Sequence, residues 1–326
     1  MALEITNNVL QKIAGAKVLV IGDVVLDHFV WGEVERISPE APVPVVRVIK
    51  EEDMPGAAAN VALNLAALDA KPVMLSIIGD DVDGKRLREL LLKNNVNCDF
   101  LIADTSKKTT RKTRIIARSQ HVVRVDWDSI LDSKTIENHN VLSVIEDAAK
   151  VCDAVVVQDY NKGMICKEIF NLLEKINIPV IVDPNRYHAI KYSGLIATPN
   201  AEEAKILSGL EIETDNVSEM LKEVSQAIFS KHNLEKLVIT LSEKGLALCD
   251  KNGEIKKMPV AKTHNVYDVS GAGDTVVAAL AAALAQGITA WEACKIANAA
   301  AAIVVGKMGT ATTTRAEIQA LLNEIK

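Results

Sequence analysis

The run "SGAGDTVVAALAAALA" sets Gly271, Ala272 and Gly273 directly before Asp274 and an alanine-rich helical stretch. Small residues leave backbone N–H groups uncovered, and a helix N-terminus adds partial positive charge, so an oxyanion can be held there. A carboxylate at such a turn either caps the helix or stands as a base beside the anion. In the second role Asp274 would take a proton from a hydroxyl while the neighbouring amides stabilise developing negative charge.

A base needs a scaffold that brings other polar groups to it. The apolar runs "KVLVIGD", "KPVMLSIIGD", "DAVVVQDY", "IPVIVDP" and "KLVITLS" are rich in β-branched residues and end in polar ones. Segments of helical periodicity, such as "DGKRLRELLLKNN" and "SEMLKEVSQAIFSKHN", lie between them. This alternation predicts an α/β fold with a parallel sheet covered on both faces. Ligands gather at the carboxyl ends of such strands, and Asp23, Asp159, Asp183 and Asn200 all sit just after apolar runs. Two stretches, Pro42–Asp53 and Thr109–Asp128, break the rhythm by alternating apolar and polar residues. They read as antiparallel strands with one solvated face, placed together as a small β lid spanning about 34–53 and 108–127.

Composition excludes several classes of function. The chain has 326 residues, 49% hydrophobic and 25% charged, an ordinary globular balance. Net charge is −6 without a dense basic block, which argues against a nucleic-acid surface and leaves small anionic ligands open. The five cysteines are odd in number and form no C-x-x-C pair, so they read as reduced, buried thiols and not as a disulfide framework or zinc site. The first residues lack the order of a signal peptide, and the apolar stretch near the carboxyl end is interrupted by Gln286, Glu292 and Lys295. The expectation is a cytoplasmic protein with no membrane or nucleic-acid partner.

Further motifs give Asp274 company. "MPGAAANVALNLAAL" carries Gly56 and Asn60 at a helix start, "DHFVWG" carries Asp27, and "TPNAEEA" carries Asn200, Ala201, Glu202 and Glu203. With "DVSGAGDTVVA" they resemble, in order and spacing over nearly the whole chain, the ribokinase/PfkB family of carbohydrate kinases. The resemblance implies one ribokinase-like kinase domain over 1–326, with a Rossmann-type sheet flanked by helices and a β lid. It also implies ATP-dependent phosphorylation of a hydroxyl. Within the family, "GDVVLDHFVWGEVERISPEAPVPVV", "QDYNKG" and "ANAAAAIVVGKMGT" look like the heptose 7-phosphate kinases, in their single-domain and bifunctional forms. That narrower likeness implies transfer to the anomeric O1 of D-glycero-β-D-manno-heptose 7-phosphate, giving the 1,7-bisphosphate on the way to ADP-heptose and lipopolysaccharide core. The run "RISPEAPVPVV" sets it apart from kinases of fructose, ribose or nucleosides. Those kinases, and a non-catalytic nucleotide- or sugar-binding regulator, are the competing readings.

Carried over residue by residue, the resemblance makes Asp274 the base and Gly271, Ala272 and Gly273 the anion hole. Asn200 and Glu203, flanked by Ala201 and Glu202, would organise Mg2+ and the ATP phosphates, with Glu203 meeting the metal directly or through water. Ser242, Gly245 and Asn298 match positions near the nucleotide. Asp27, Gly56 and Asn60 would hold sugar hydroxyls, and Asp159 and Asp183 would lie near the substrate phosphate or the metal. Strand alternation sets Lys112, Arg114 and Arg118 on one lid face, where Arg114 and Arg118 would meet the sugar phosphate. Arg36 and Arg124 lie beside them, and His28 and His121 read as polar contacts or surface residues. A monovalent cation would sit near Asp268 and "GKMGT". A small two-faced lid leaves apolar positions uncovered, so pairing of lids in a homodimer is expected. The sequence departs from the family in two places: Ala57 stands where a second glycine is usual, and Asn185 where a lysine often follows "DP", with Arg186 as the replacement cation.

Overall fold

The apolar run Lys17–Gly22 forms a strand, β1, whose alternate side chains leave on opposite faces. Val18 and Val20 join one apolar cluster of the core, and Leu19 and Ile21 join the other. The next strand over repeats the pattern, with Ala154 and Val156 on the first face and Val155 and Val157 on the second. This period of two, on strands buried from both sides, is what a parallel sheet between helical layers requires. The computed structural model describes residues 7–324 apart from Ser119, Ile212, Glu213, Asp215 and 262–265.

Alongside β1 (Lys17–Gly22), the remaining strands are β2 (Val24–Ile37), β3 (Pro44–Ala57), β4 (Lys71–Gly79), β5 (Asn97–Asp104), β6 (Arg111–Ala117) and β7 (Gln120–Trp127). They continue as β8 (Ala154–Gln158), β9 (Val180–Asp183), β10 (Ser193–Ala197), β11 (Asn233–Thr240), β12 (Leu246–Asp250) and β13 (Ile255–Met258). A nine-stranded sheet has the order β13-β12-β11-β10-β9-β8-β1-β4-β5. Its strands from β11 to β5 in space are parallel, whereas β12 and β13 add antiparallel at one edge. The alternation of helices and strands forecast the parallel body. The edge hairpin escaped notice because its strands, "LALCD" and "IKKM", are short.

The chain leaves β1 for β4 and β5 on one side, then crosses to β8 on the other. The carboxyl ends of β1 and β8 therefore form the topological switch point, the usual ligand crevice of an open α/β sheet. Asp23 follows β1 at this point. Its buried carboxylate accepts the backbone N–H groups of Tyr160, Lys162 and Met164 at 3.2, 3.0 and 3.0 Å, tying down the loop after β8.

A second sheet of order β3-β2-β6-β7 forms the lid. It consists of two antiparallel hairpins joined by the parallel pair β2–β6. The lid starts at Val24, separated from the end of β1 by Asp23 alone, and so occupies 24–57 and 111–127. Its first segment is longer than the expected 34–53, because a single residue, Asp23, turns the chain from one sheet into the other; its second starts three residues later than the expected 108. Asp27 consequently lies within a lid strand.

The helix Ala272–Ala285 crosses the centre of the molecule, buried continuously from Asp274 to Leu284. Its alanines let it approach both the sheet and the helices Ala58–Ala67 and Ala290–Val304 closely. Among the described residues no helix is long and apolar enough to cross a membrane.

Candidate functional site

Gly271 caps the central helix in the left-handed region, at φ +77°. A Cβ at Gly271 would also come within 2.9 Å of Asn60 Nδ2, so both backbone and space call for glycine there. Three residues later Asp274 projects into a cavity of about 140 Å³ between the helix end and the lid. Its Oδ2 accepts from Asn60 Nδ2 at 2.7 Å, and its Oδ1 from Gln158 Nε2 at 3.1 Å. Burial pushes the Asp274 pKa up to about 7; the Asn60 hydrogen bond opposes this and the charge of Asp27 adds to it. An acid so tuned is a suitable proton acceptor near neutral pH. First-turn N–H groups of a helix lack intrahelical partners, and here that helix end opens on the same cavity. The Ala272 N–H is the partial exception, donating to Val269 O at 3.3 Å.

The lid supplies the opposite wall. Asp27 accepts from Arg114 Nη1, and the Arg114 guanidinium lies over the Phe29 ring, 5.2 Å from its centroid. A Cβ on Gly56 would fall 2.0 Å from Asp27 Oδ2, so this glycine makes room for the carboxylate. Ala57 adopts φ +56° and ψ −131°, the glycine-favouring half of conformational space. The methyl found in place of the family's glycine is therefore held under strain at the cavity edge. Lys112, Tyr160 and Thr310 complete this wall. Unlike Arg114, Lys112 makes no ion pair among the described residues.

Asp183 is joined to Asp274 through Gln158, whose Nε2 also donates to Asp183 Oδ2 at 2.7 Å. Thr198 Oγ1 donates to Asp183 Oδ1 at 2.8 Å. Burial, and next the charge of Asp274, push the Asp183 pKa up to about 8, with the Thr198 hydrogen bond opposing and the charge of Glu203 adding. Asp274 is buried and Asp183 half-buried, and two carboxylates this close titrate as a pair.

Other expected residues lie elsewhere. Asp159 turns away from the cavity: its oxygens accept from Tyr192 Oη at 2.8 Å, His188 Nδ1 at 2.7 Å and the Asn161 N–H at 2.8 Å. Arg118 leaves the face it was expected to share with Lys112 and Arg114. The strand ends at Ala117, and Arg118 is an exposed turn residue with φ +48°. Arg124 pairs with Asp126 at 2.9 Å, and His28 with Asp53 at 2.7 Å. Arg36 and His121 are exposed on the lid strands.

Asn200 and Glu203 form a reciprocal capping box on the helix Ala201–Ser208. Asn200 Oδ1 accepts the Glu203 N–H at 2.9 Å, and Glu203 Oε2 accepts the Asn200 N–H at 3.0 Å. This local role accounts for the pair without a ligand, yet it also fixes a carboxylate near Asp183. Sparse oxygen donors of this kind fit magnesium, which keeps most of its waters and shares phosphate oxygens. Among the described residues no three His, Cys, Asp or Glu converge as a metal cage. Glu202 points outward to Arg186 at 2.9 Å. Ala201 and Ser242 line a separate cleft of about 260 Å³ with Lys205 and Lys244. Gly245 closes the turn behind it, and Asn298 Nδ2 holds Pro259 O at 2.8 Å. Asp268 staples two loops by accepting the Ser270 and Gly309 N–H groups at 2.9 and 3.2 Å.

Gln158 and Tyr160 were not singled out from the sequence. The signal was present: both lie in "QDYNKG", at the polar end of an apolar strand.

The pfkB family carbohydrate kinase pattern matches residues 16–317. The bifunctional protein HldE of Wolinella succinogenes is 40% identical over 311 residues, covering 94% of this chain and 64% of that protein. HldE of Haemophilus influenzae is 40% identical over 308 residues, covering 93% and 63%. The chain thus spans slightly under two thirds of these relatives. Among solved structures, Arabidopsis thaliana ribokinase complexed with ribose and ATP superposes with a TM-score of 0.72 at 22% identity, covering 95% of this chain and 99% of that one. Escherichia coli phosphofructokinase-2 in complex with substrates and products gives 0.76 at 19% identity, covering 96% and 99%. At such identities the structural likeness carries the fold alone.

Proposed function

The chain belongs to the pfkB family of carbohydrate kinases, and from that premise we propose that this ATP-dependent sugar kinase phosphorylates the anomeric O1 of D-glycero-β-D-manno-heptose 7-phosphate. The observation that carries the reading is Asp274, a buried carboxylate with its pKa raised to about 7, at the end of a cavity walled by lid residues. The run "RISPEAPVPVV" and the kinship with HldE favour the heptose over other sugars. The product would be the 1,7-bisphosphate, an intermediate on the way to ADP-heptose.

The sugar sits between Asp27, Asn60 and Arg114, with its anomeric hydroxyl toward Asp274. Asp274 accepts the hydroxyl proton as the oxygen attacks the γ-phosphorus in line. The N–H groups at the helix start face the transferring phosphoryl oxygens. ATP lies on the side of Asn200, Ser242 and Asn298. Magnesium, held near Glu203 directly or through water, would supply positive charge to the bridging phosphate oxygens. The remote sugar phosphate meets Lys112, the cation of the cavity wall that makes no ion pair among the described residues, since Arg114 is committed to Asp27.

The same reading includes a monovalent cation beside Asp268, a cytoplasmic location and a homodimer. Ile37, Ile49, Val123 and Trp127 on the lid are exposed by 61, 61, 46 and 53%, a surface suited to a second lid. Sedimentation would show a dimer that dissociates on Trp127→Glu.

The deciding experiment measures ADP release with heptose 7-phosphate, unphosphorylated heptose, fructose 6-phosphate and ribose. A large kcat/KM preference for heptose 7-phosphate is expected. Equal or faster turnover of another sugar would leave the kinase assignment intact and overturn the substrate.

A further inference from the structure

Gln158 ends β8, is 0% exposed and lies between two carboxylates. Its Nε2 reaches Asp183 Oδ2 at 2.7 Å and Asp274 Oδ1 at 3.1 Å. Carboxylates accept and do not donate when ionised, so the two acids dictate which end of the amide faces them. Oε1 is turned the other way, buried and without a partner among the described residues. A buried carbonyl oxygen without a donor is unfavourable, so this orientation is held against a cost. The amide is placed for its nitrogen.

We infer that Gln158 is a positioning residue for the catalytic base: one amide nitrogen holds Asp274 and Asp183 as an oriented, coupled pair. The inference rests on the reading of Asp274 as the base. Asn60, from the helix beside the lid, grips one oxygen of Asp274, and Gln158, from the main sheet, grips the other. Two donors on two oxygens stop the carboxylate from rotating, so its remaining lone pairs point in fixed directions. The second anchor of Asp183 is Thr198. Both hydrogen bonds from Gln158 favour the ionised acids, while burial and mutual repulsion favour protonation. Gln158 thereby sets how readily the base is unprotonated.

Other charged or titratable groups act on the pair. Asp27 and its partner Arg114, Lys112 and Tyr160 share the cavity with Asp274, and Glu203 acts on Asp183 from the start of its helix. Tyr160 lies close enough to act on both acids and on Gln158, but among the described residues Gln158 is the group hydrogen-bonded to both.

The test compares wild type with Gln158→Met, which keeps the length and removes both donors. At pH 7 kcat should fall about ten- to a hundredfold, with the KM for ATP within about threefold. The acid limb of kcat/KM should move up by about one pH unit, so that the deficit shrinks toward pH 9. Adding Asp183→Asn to Gln158→Met should bring the limb back down. An unmoved limb, or a loss equal at every pH, overturns the inference and makes Gln158 a packing residue. Should Gln158→Met fail to fold, Asp183→Asn alone decides: its limb should lie below that of wild type, and an unmoved limb refutes the coupling.

A substrate-free readout separates this inference from the choice of sugar. The fall in melting temperature from pH 4 to pH 8 should be steeper in Gln158→Met than in wild type. If heptose 7-phosphate proves a poor substrate while that slope changes, the substrate reading fails and the coupling stands. An unchanged slope removes the coupling whatever the sugar.

Discussion

Asn60 Nδ2 lies 2.7 Å from Asp274 Oδ2, a hydrogen bond between residues 214 positions apart. One turn further along the helix of Asn60, and at the residue next to Asp274 on the other, Thr275 Oγ1 donates to Asn64 Oδ1 at 2.8 Å. Asn64 Nδ2 in turn donates to Asn60 O at 2.9 Å, so these buried amides zip the sugar-side helix to the helix that carries the base. Buried amides are tolerated when satisfied, and here they set the base against the sugar wall of the cavity.

Asp274→Asn keeps the shape of the side chain and removes its ability to take a proton. Turnover should fall roughly 10²–10⁴-fold while a non-hydrolysable ATP analogue still binds. Near-normal turnover in a folded variant would show that another group, or none, acts as base.

The same substitution should raise stability at alkaline pH. The Asp274 and Asp183 pKa values stand at about 7 and about 8 in the fold, above the 3.8 of a free aspartate. The folded state therefore binds protons more tightly than the unfolded chain. Their stabilising contribution is complete below the unfolded pKa and is lost as pH rises through the folded values. The melting temperature of Asp274→Asn relative to wild type should climb between pH 4 and pH 8. A constant difference across that range would mean that Asp274 is not shifted upward.

Lys112→Met should shrink the preference for phosphorylated over unphosphorylated sugar, with little change in the KM for ATP. Arg118→Ala should leave that preference untouched, because Arg118 is a turn residue outside the cavity. Loss of the preference in Arg118→Ala alone would place the phosphate at the lid tip.

Ala57→Gly should stabilise the protein by about 1 kcal/mol, since an L-residue in the left-handed half is strained by roughly 1–2 kcal/mol and glycine gives back part of that in entropy. Ala57→Val should destabilise it. Chemical denaturation reads both, and a less stable glycine variant would show that Ala57 is unstrained.

Glu203→Gln tests a residue with two roles. Gln keeps a side-chain oxygen that can accept the Asn200 N–H, so the capping box and the stability should change little. If Glu203 also serves the metal, the magnesium concentration for half-maximal rate should rise and transfer should slow. An unchanged magnesium titration in the stable variant would leave Glu203 as a cap only.

The local part of this protein was legible in its sequence. Apolar β-branched runs and intervening amphipathic segments specify a covered parallel sheet, because burial on both faces selects that pattern. Gly271 before Asp274 specifies a helix start with open amides, because a left-handed cap and the close approach of Asn60 exclude larger residues. Tertiary structure decided what stands beside what. Strand alternation alone set Arg118 with Arg114, but the strand ends one residue before Arg118 and the chain turns. Asp159 and Gln158 are neighbours in the chain, yet the pleat sends them opposite ways, one to Tyr192 and His188, the other to Asp183 and Asp274. The raised pKa of Asp274 follows from burial and the charge of Asp27, that of Asp183 from burial and the charge of Asp274, and neither is a property of a short stretch of chain. Periodicity records which face a residue takes; only the packing of distant segments determines the dielectric and the partners it finds there.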